Sequence, residues 1–358
     1  MCDDFPTGTA VEPWGAGRSS HERIGSVLVV VVVLAGAFAV VNGIHDAGNA
    51  IAAPIVTRAI RPAPAVVFAA VFHVLGALVV GTAVAATVAG IVIVPAAQVL
   101  EVLGAAVLGA LVWNLVTLWL GLPCSSGHCL VGALAGAAVA EGGLTAVRWG
   151  GLNGLRPVGV FGSLLWLLVS SAVALPLAAM GIRLARRALR KARREVERPV
   201  RGGELMASAG LAFAHGSNDA QKTMGLMTAA LVANGNLTRF AVPFWVVLAS
   251  ALLLTLGTLL GGWRVVRTLG RRIYRLRSLD GLVSQGSSAA IVLVASLAGA
   301  PISTSDVVAP AVVGVGTGER WRHVRWAVVG EIGLAWLVTL PVSAALGALF
   351  LAIWRWLG

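Results

Sequence analysis

Long apolar runs alternate with short polar stretches along the whole chain. Residues 158–182 and 240–263 carry no charge at all, and each is long enough to cross a bilayer as a helix, which takes about 20 residues. Further apolar runs begin at Ile24, Pro64, Leu205, Leu282 and Ala327. This pattern predicts roughly nine to twelve membrane-embedded segments, some of them half-helices, in one all-α integral membrane protein. Composition agrees: 58% of the 358 residues are hydrophobic, 12% are charged, and the mean hydropathy is +0.89. A water-soluble domain of this length does not have such a composition. The expected location is the cell (plasma) membrane, crossed several times, with the lipid bilayer as solvent.

The 27 basic residues outnumber the 15 acidic ones, and their placement gives the excess its meaning. Residues 183–201 hold nine Lys or Arg against two Glu, and residues 264–277 hold six Arg and no acid. Clusters between apolar runs mark cytoplasmic loops by the positive-inside rule. Few aromatic residues interleave them, so no nucleic-acid partner is expected. Cys2, Cys124 and Cys129 are too few for a disulfide framework, and Cys124, His128 and Cys129 lack the four well-spaced ligands of a structural zinc site. The polar tail 1–23 leads into an apolar run that is read as an uncleaved first helix.

The chain also repeats itself. The polar motif Gly43-Ile44-His45-Asp46-Ala47-Gly48-Asn49 returns as Gly216-Ser217-Asn218-Asp219-Ala220-Gln221-Lys222. A second motif, Pro123-Cys124-Ser125-Ser126-Gly127-His128, returns as Pro301-Ile302-Ser303-Thr304-Ser305-Asp306. Two unrelated motifs in the same order at nearly the same separation imply a duplicated half. The division is a first repeat at 24–182, a basic cytoplasmic linker at 183–204 and a second repeat at 205–358. With Arg58, Arg61, the linker and the 264–277 cluster all cytoplasmic, the helix bearing Asp46 runs inward and the one bearing Asp219 outward. The expected architecture is therefore an inverted-repeat transporter with broken helices and re-entrant segments, its site near the membrane midplane.

An aspartate in hydrocarbon costs about 2.5–3.5 kcal/mol on insertion scales, so Asp46 and Asp219 within apolar runs need a reason. Gly43, Gly48 and Gly216 permit the backbone to leave helical geometry. Asn42, His45, Asn49, Asn218 and Gln221 add polar groups that can line a wet cavity. In the second motif type, Pro123 and Pro301 suit helix starts, and Ser125, Ser126, Ser303 and Thr304 either cap free amides or bind a ligand. Such helix starts attract anions. Lys222 either compensates anionic charge or snorkels to the interface. Glu331 is either an embedded proton carrier or an interfacial residue beside Arg325, and Glu101 and Glu141 are expected at helix ends.

The stretches N-G-I-H-D-A-G-N-A from Asn42 and H-G-S-N-D-A-Q-K-T-M-G from His215, with the two proline-serine tips, resemble the inorganic phosphate transporter (PiT) family across both halves. The resemblance implies inverted repeats, re-entrant segments and symport of inorganic phosphate with Na⁺ or H⁺, sometimes with phosphate taken as a metal complex. It implies no enzymatic activity and no resident cofactor. Carried over residue by residue, it assigns substrate to Asp46, Asn49, Ser125, Ser126, Asn218, Asp219, Gln221, Lys222, Ser303 and Thr304. The coupling ion falls to Asn42, Asp46, Asn218, Asp219 and Asp306. The sequence departs from the family pattern at Asp306, where His is usual, and at Cys124 and Gly127, where hydroxyl residues are usual.

Phosphate near neutral pH keeps an O–H that can donate to a carboxylate, whereas sulfate has none. Asp46 and Asp219 therefore favour phosphate. The alternatives are a sulfate permease of the same fold, an anion channel and a phosphate receptor; a homo-oligomer is left open.

Overall fold

The computed structural model describes residues 16–121, 125–154, 156–191, 196–261 and 273–357, with side chains from 25 to 356. Several sequence expectations fall outside these residues: Cys2 and most of the N-terminal tail, Pro123 and Cys124 of the first tip, linker residues 192–195, Trp263, and Arg264, Arg267, Arg271 and Arg272 of the second basic cluster.

Eleven α-helices lie among the described residues: α1 Ala16–Val56, α2 Pro62–Val79, α3 Ala83–Ala89, α4 Ala96–Leu120, α5 Ser126–Gly142, α6 Gly159–Ala188, α7 Glu197–Ala233, α8 Phe244–Leu260, α9 Ser278–Leu297, α10 Ser305–Arg320 and α11 Trp326–Leu357. Seven of them, α1, α2, α4, α5, α6, α9 and α11, are long and apolar enough to span a membrane, and α8 is a shorter apolar helix. Their outer faces expose Val79, Trp119, Leu168, Leu334 and Leu337, as expected where lipid rather than water is the solvent. The protein is an all-α integral membrane protein. Helices α6 and α7 extend into the expected linker, reaching Ala188 and starting at Glu197.

The polar motifs correct one expectation. Both Asp46 and Asp219 lie inside unbroken helices, α1 and α7. Gly43 and Gly216 serve close helix packing instead of a break: a Cβ at Gly43 would collide with the Leu254 carbonyl of α8, and one at Gly216 with the His73 carbonyl of α2. The chain breaks occur at the second motif. Helix α4 ends at Gly121 in the left-handed region, which glycine adopts without steric cost, and α5 restarts behind the N-cap Ser125. In the same way α9 ends before Gly299, also left-handed, and α10 restarts at Ser305.

The contacts of the two halves are reciprocal. Gly257 of α8 meets the Val40 carbonyl of α1, and Gly76 of α2 meets the Phe213 carbonyl of α7. Thus α1 packs antiparallel to α8, and α7 antiparallel to α2. Outside this group of four, α11 of the second half packs on α4 and α5 of the first, while α6 of the first half packs on α9 and α10 of the second. Gly136 of α5 faces the Ala344 carbonyl of α11, and Gly314 of α10 faces the Leu175 carbonyl of α6.

Two apolar cores lie on either side of the polar motifs. Val31, Ala35 and Phe38 of α1 share the first core with Met224, Met227 and Ala230 of α7. Ala50, Ile51 and Ala53 of α1 share the second with Leu211, Ala212 and Ala214 of α7. The chain therefore passes from first core to second in α1 and from second to first in α7. Both polar motifs sit between the cores.

Candidate binding site between two helix pairs

Four stretches of chain converge between the cores: the middles of α1 and α7 and the starts of α5 and α10. Asn42, Asp46, Asn49, Ser125, Ser126, Asn218, Asp219, Gln221, Lys222, Ser303, Thr304 and Asp306 are all buried. Ligand atoms of Asp46, His215 and Asp219 lie within 4.8 Å of one another. Two motifs far apart in sequence thus meet in one place.

Asp219 is engaged by protein donors at both oxygens. Its Oδ1 accepts from the Lys222 ammonium, and its Oδ2 lies 2.5 Å from His215 Nδ1 and 3.4 Å from the Thr304 hydroxyl. His215 Nδ1 is also 2.8 Å from Thr304 Oγ1. Lys222 is fully buried and so does not snorkel; its Nζ donates to Ser126 Oγ at 3.0 Å. Asp46 is partnered differently: Oδ1 accepts from Asn49 Nδ2 at 3.0 Å, and Oδ2 has no partner.

The two tips touch directly. Ser125 donates to Asp306 Oδ2 at 2.5 Å, and His128 Nδ1 lies 2.6 Å from the same hydroxyl and 3.3 Å from the same carboxylate. Ser125 also accepts the His128 N–H as the cap of α5. Ser303 and Ser305 share a hydrogen bond at 2.8 Å. Two helix N-termini, each the positive end of a helix dipole, therefore open on the same centre.

Asn218 and Gln221 also serve the scaffold. Asn218 Nδ2 donates to Ser296 Oγ and the Ala300 carbonyl, while its Oδ1 has no partner. Gln221 has both ends of its amide engaged, accepting from the Val84 N–H and donating to the Ser217 carbonyl, which fixes α3 against α7. Of the other acidic residues, Glu141 pairs with Arg355 at the end of α5, Glu101 lies in the early turns of α4, and Glu331 is exposed at the start of α11.

Sequence reasoning missed three residues. His215 opens the second motif, yet its place between Asp219 and Thr304 depends on the fold. His73 of α2 packs at a tilt against His215, with ring centroids 4.5 Å apart, and lies 3.0 Å from Thr258; the only available signal was a lone polar residue in an apolar run. Gln285 of α9 donates to the Asn49 carbonyl at 3.1 Å.

The centre thus holds three carboxylates, Asp46, Asp219 and Asp306, against one ammonium, Lys222. Buried oxygens without a hydrogen-bond partner remain on Asn42, Asp46, Asn49, Asn218 and Asp306. Oxygens of this kind suit a hard cation, while the helix starts and hydroxyls suit an oxyanion. Asp46, His215 and Asp219 offer donors for a divalent cation as well.

Comparison with known proteins agrees with this chemistry. The profile of a phosphate transporter family matches residues 42–201 and again 185–347. A probable low-affinity inorganic phosphate transporter of Mycobacterium tuberculosis is 38% identical over 93% of this chain and 78% of its own length. Proteins of the same description in Rhizobium meliloti and Bacillus subtilis are 36% and 34% identical, each over 90% of this chain and 95% of their own. A solved structure described as the sodium-dependent phosphate transporter has a TM-score of 0.81 at 23% identity, covering 93% of this chain and 100% of its own.

Proposed function

This chain belongs to the phosphate transporter family, and on that premise we propose that it takes up inorganic phosphate across the cell membrane in symport with Na⁺ or H⁺ by alternating access. The observation that carries the reading is the meeting of Asp46 and Asp219 where the starts of α5 and α10 also converge. In this reading the hydroxyls of Ser125, Ser126, Ser303 and Thr304 hold the oxyanion, helped by the dipoles of the two helices. Asp46, Asn49, Asn218, Asp219, Gln221 and Lys222 complete its surroundings.

Electrostatics supports coupling to a cation. A phosphate entering beside three carboxylates and one ammonium meets net negative charge in a region of low dielectric, where unpaired charge is costly. Cations or protons must enter with it. Asn42, Asp46 and Asn218 have unpartnered oxygens for that purpose, as does Asp306. A divalent metal travelling with phosphate as cargo is compatible with the same groups.

We take 24–182 and 205–358 as inverted repeats joined by the linker at 183–204. The reciprocal glycine contacts and the opposite passage of α1 and α7 through the two cores support this division. Rocking of one group of helices against the other around a fixed site gives access from each side in turn. The test is uptake of labelled phosphate into proteoliposomes with Na⁺, proton and divalent-metal gradients imposed separately. Accumulation against a phosphate gradient is expected under at least one of them; no accumulation under any would defeat the proposal.

A further inference from the structure

The two aspartates have partners at the same spacing but of different charge. Three residues after Asp46, the Asn49 amide donates to Asp46 Oδ1. Three residues after Asp219, the Lys222 ammonium donates to Asp219 Oδ1. The two pairs occupy corresponding places on α1 and α7, as the reciprocal contacts of Gly43 and Gly216 establish. One half therefore has an amide where the other has a lysine.

The consequences for each carboxylate are opposite. Asp219 has both oxygens filled by Lys222, His215 and Thr304. A mobile cation approaching Asp219 meets the charge of Lys222 already in place, which is itself held by Ser126. Around Asp46, Asn49 supplies a dipole and no charge. Asn42 Oδ1, Asp46 Oδ2 and Asn49 Oδ1 are all buried and unpartnered, and spacings of four and three residues put them on one face of α1. A carboxylate buried beside unpartnered carbonyl oxygens is stable only with a positive charge among them.

We propose that Lys222 is a tethered counter-ion that fills, in the second half, the place a transported cation takes in the first. This rests on the reading of the protein as a cation-coupled phosphate carrier, and it fixes where the coupling is asymmetric. At the Asp46 position a cation is taken up with each phosphate, while at the Asp219 position the protein supplies its own. Changing Lys222 to Asn makes the second half like the first and adds one cation per cycle. The mirror change, Asn49→Lys, gives the first half a fixed charge and removes one.

The experiment compares wild type, Lys222→Asn and Asn49→Lys as full-length protein in proteoliposomes. Reversal potentials give the positive charge carried per phosphate, whichever cation moves. Lys222→Asn is expected to carry one charge more than wild type, with the Hill coefficient for the driving cation rising by up to about one. Asn49→Lys is expected to carry one charge fewer. For a variant that binds phosphate without transporting it, the slopes of phosphate affinity against Na⁺ at fixed pH and against pH at fixed Na⁺ are added. Their sum is expected to rise by one for Lys222→Asn and fall by one for Asn49→Lys. A wild type that neither binds nor moves phosphate would overturn the transport reading itself. A transporting wild type with both variants keeping its stoichiometry and summed slope would overturn the tethered-ion proposal alone.

Discussion

Ser125 at the start of α5 donates a 2.5 Å hydrogen bond to Asp306 at the start of α10, joining the tips of two hairpins that belong to opposite halves of the chain. His128 sits against the same pair. One oxygen of the carboxylate that stands beside an anion site is thus already committed to a hydroxyl and an imidazole, while the other has no hydrogen-bond partner among the described residues. Asp306→Ala should raise the phosphate concentration for half-maximal uptake roughly ten- to hundredfold, the equivalent of one hydrogen bond to a charged group. Asp306→Asn keeps an acceptor for Ser125 and should stay much closer to wild type. Concentration-dependent uptake by the two variants checks this, and equal effects would contradict it.

The paired aspartates should differ in what their loss costs. Asp46→Asn and Asp219→Asn should each reduce uptake about a hundredfold or more. Only Asp219→Asn leaves an ammonium buried without its counter-charge, a loss of about 3–5 kcal/mol for a buried pair. Thermal unfolding in detergent should therefore fall clearly for Asp219→Asn and little for Asp46→Asn. Uptake at the wild-type rate by either variant would remove that aspartate from the site.

Ser303 bonds only to Ser305 among the described hydroxyls near it, so Ser303→Ala should chiefly weaken apparent affinity. The maximal rate should hold, as expected for a group that contributes equally to binding throughout the cycle. Initial rates over a range of phosphate concentrations separate the two parameters.

The glycines offer a control for folding rather than transport. Gly216→Ala drives a methyl group into the His73 backbone, an overpacking that costs about 1–3 kcal/mol or more where the backbone must move. Gly333→Ala on α11 meets nothing within 4 Å and should be neutral or stabilise by about 1 kcal/mol through helix propensity. Yield and monodispersity on gel filtration should separate these two variants sharply.

These glycines also mark the limit of what the sequence revealed. The repeated motifs, the embedded Asp46 and Asp219 and the hydroxyl-bearing tips were all legible, because a polar residue in an apolar run is conspicuous and a duplication is visible as text. Whether Gly43 and Gly216 break a helix or admit a neighbour was not, since the same absence of Cβ serves both and only the position of α8 or α2 decides. The full burial of Lys222 was hidden for a similar reason: Asp219 lies one turn back on the same helix, but Ser126 reaches it from α5. Gln221 reads as a ligand from its place in the motif, and no local pattern could show that its amide also ties α3 to α7 through a backbone N–H.

The crossed packing of the outer helices bears on biogenesis. Helix α5 presents Gly136 to the Ala344 carbonyl of α11, which leaves the ribosome long after α5 does. The first hairpin therefore waits in lipid, incompletely covered, until α11 is made. Neither half of the polypeptide can complete its packing by itself, and α5 is enclosed only once α11 is inserted.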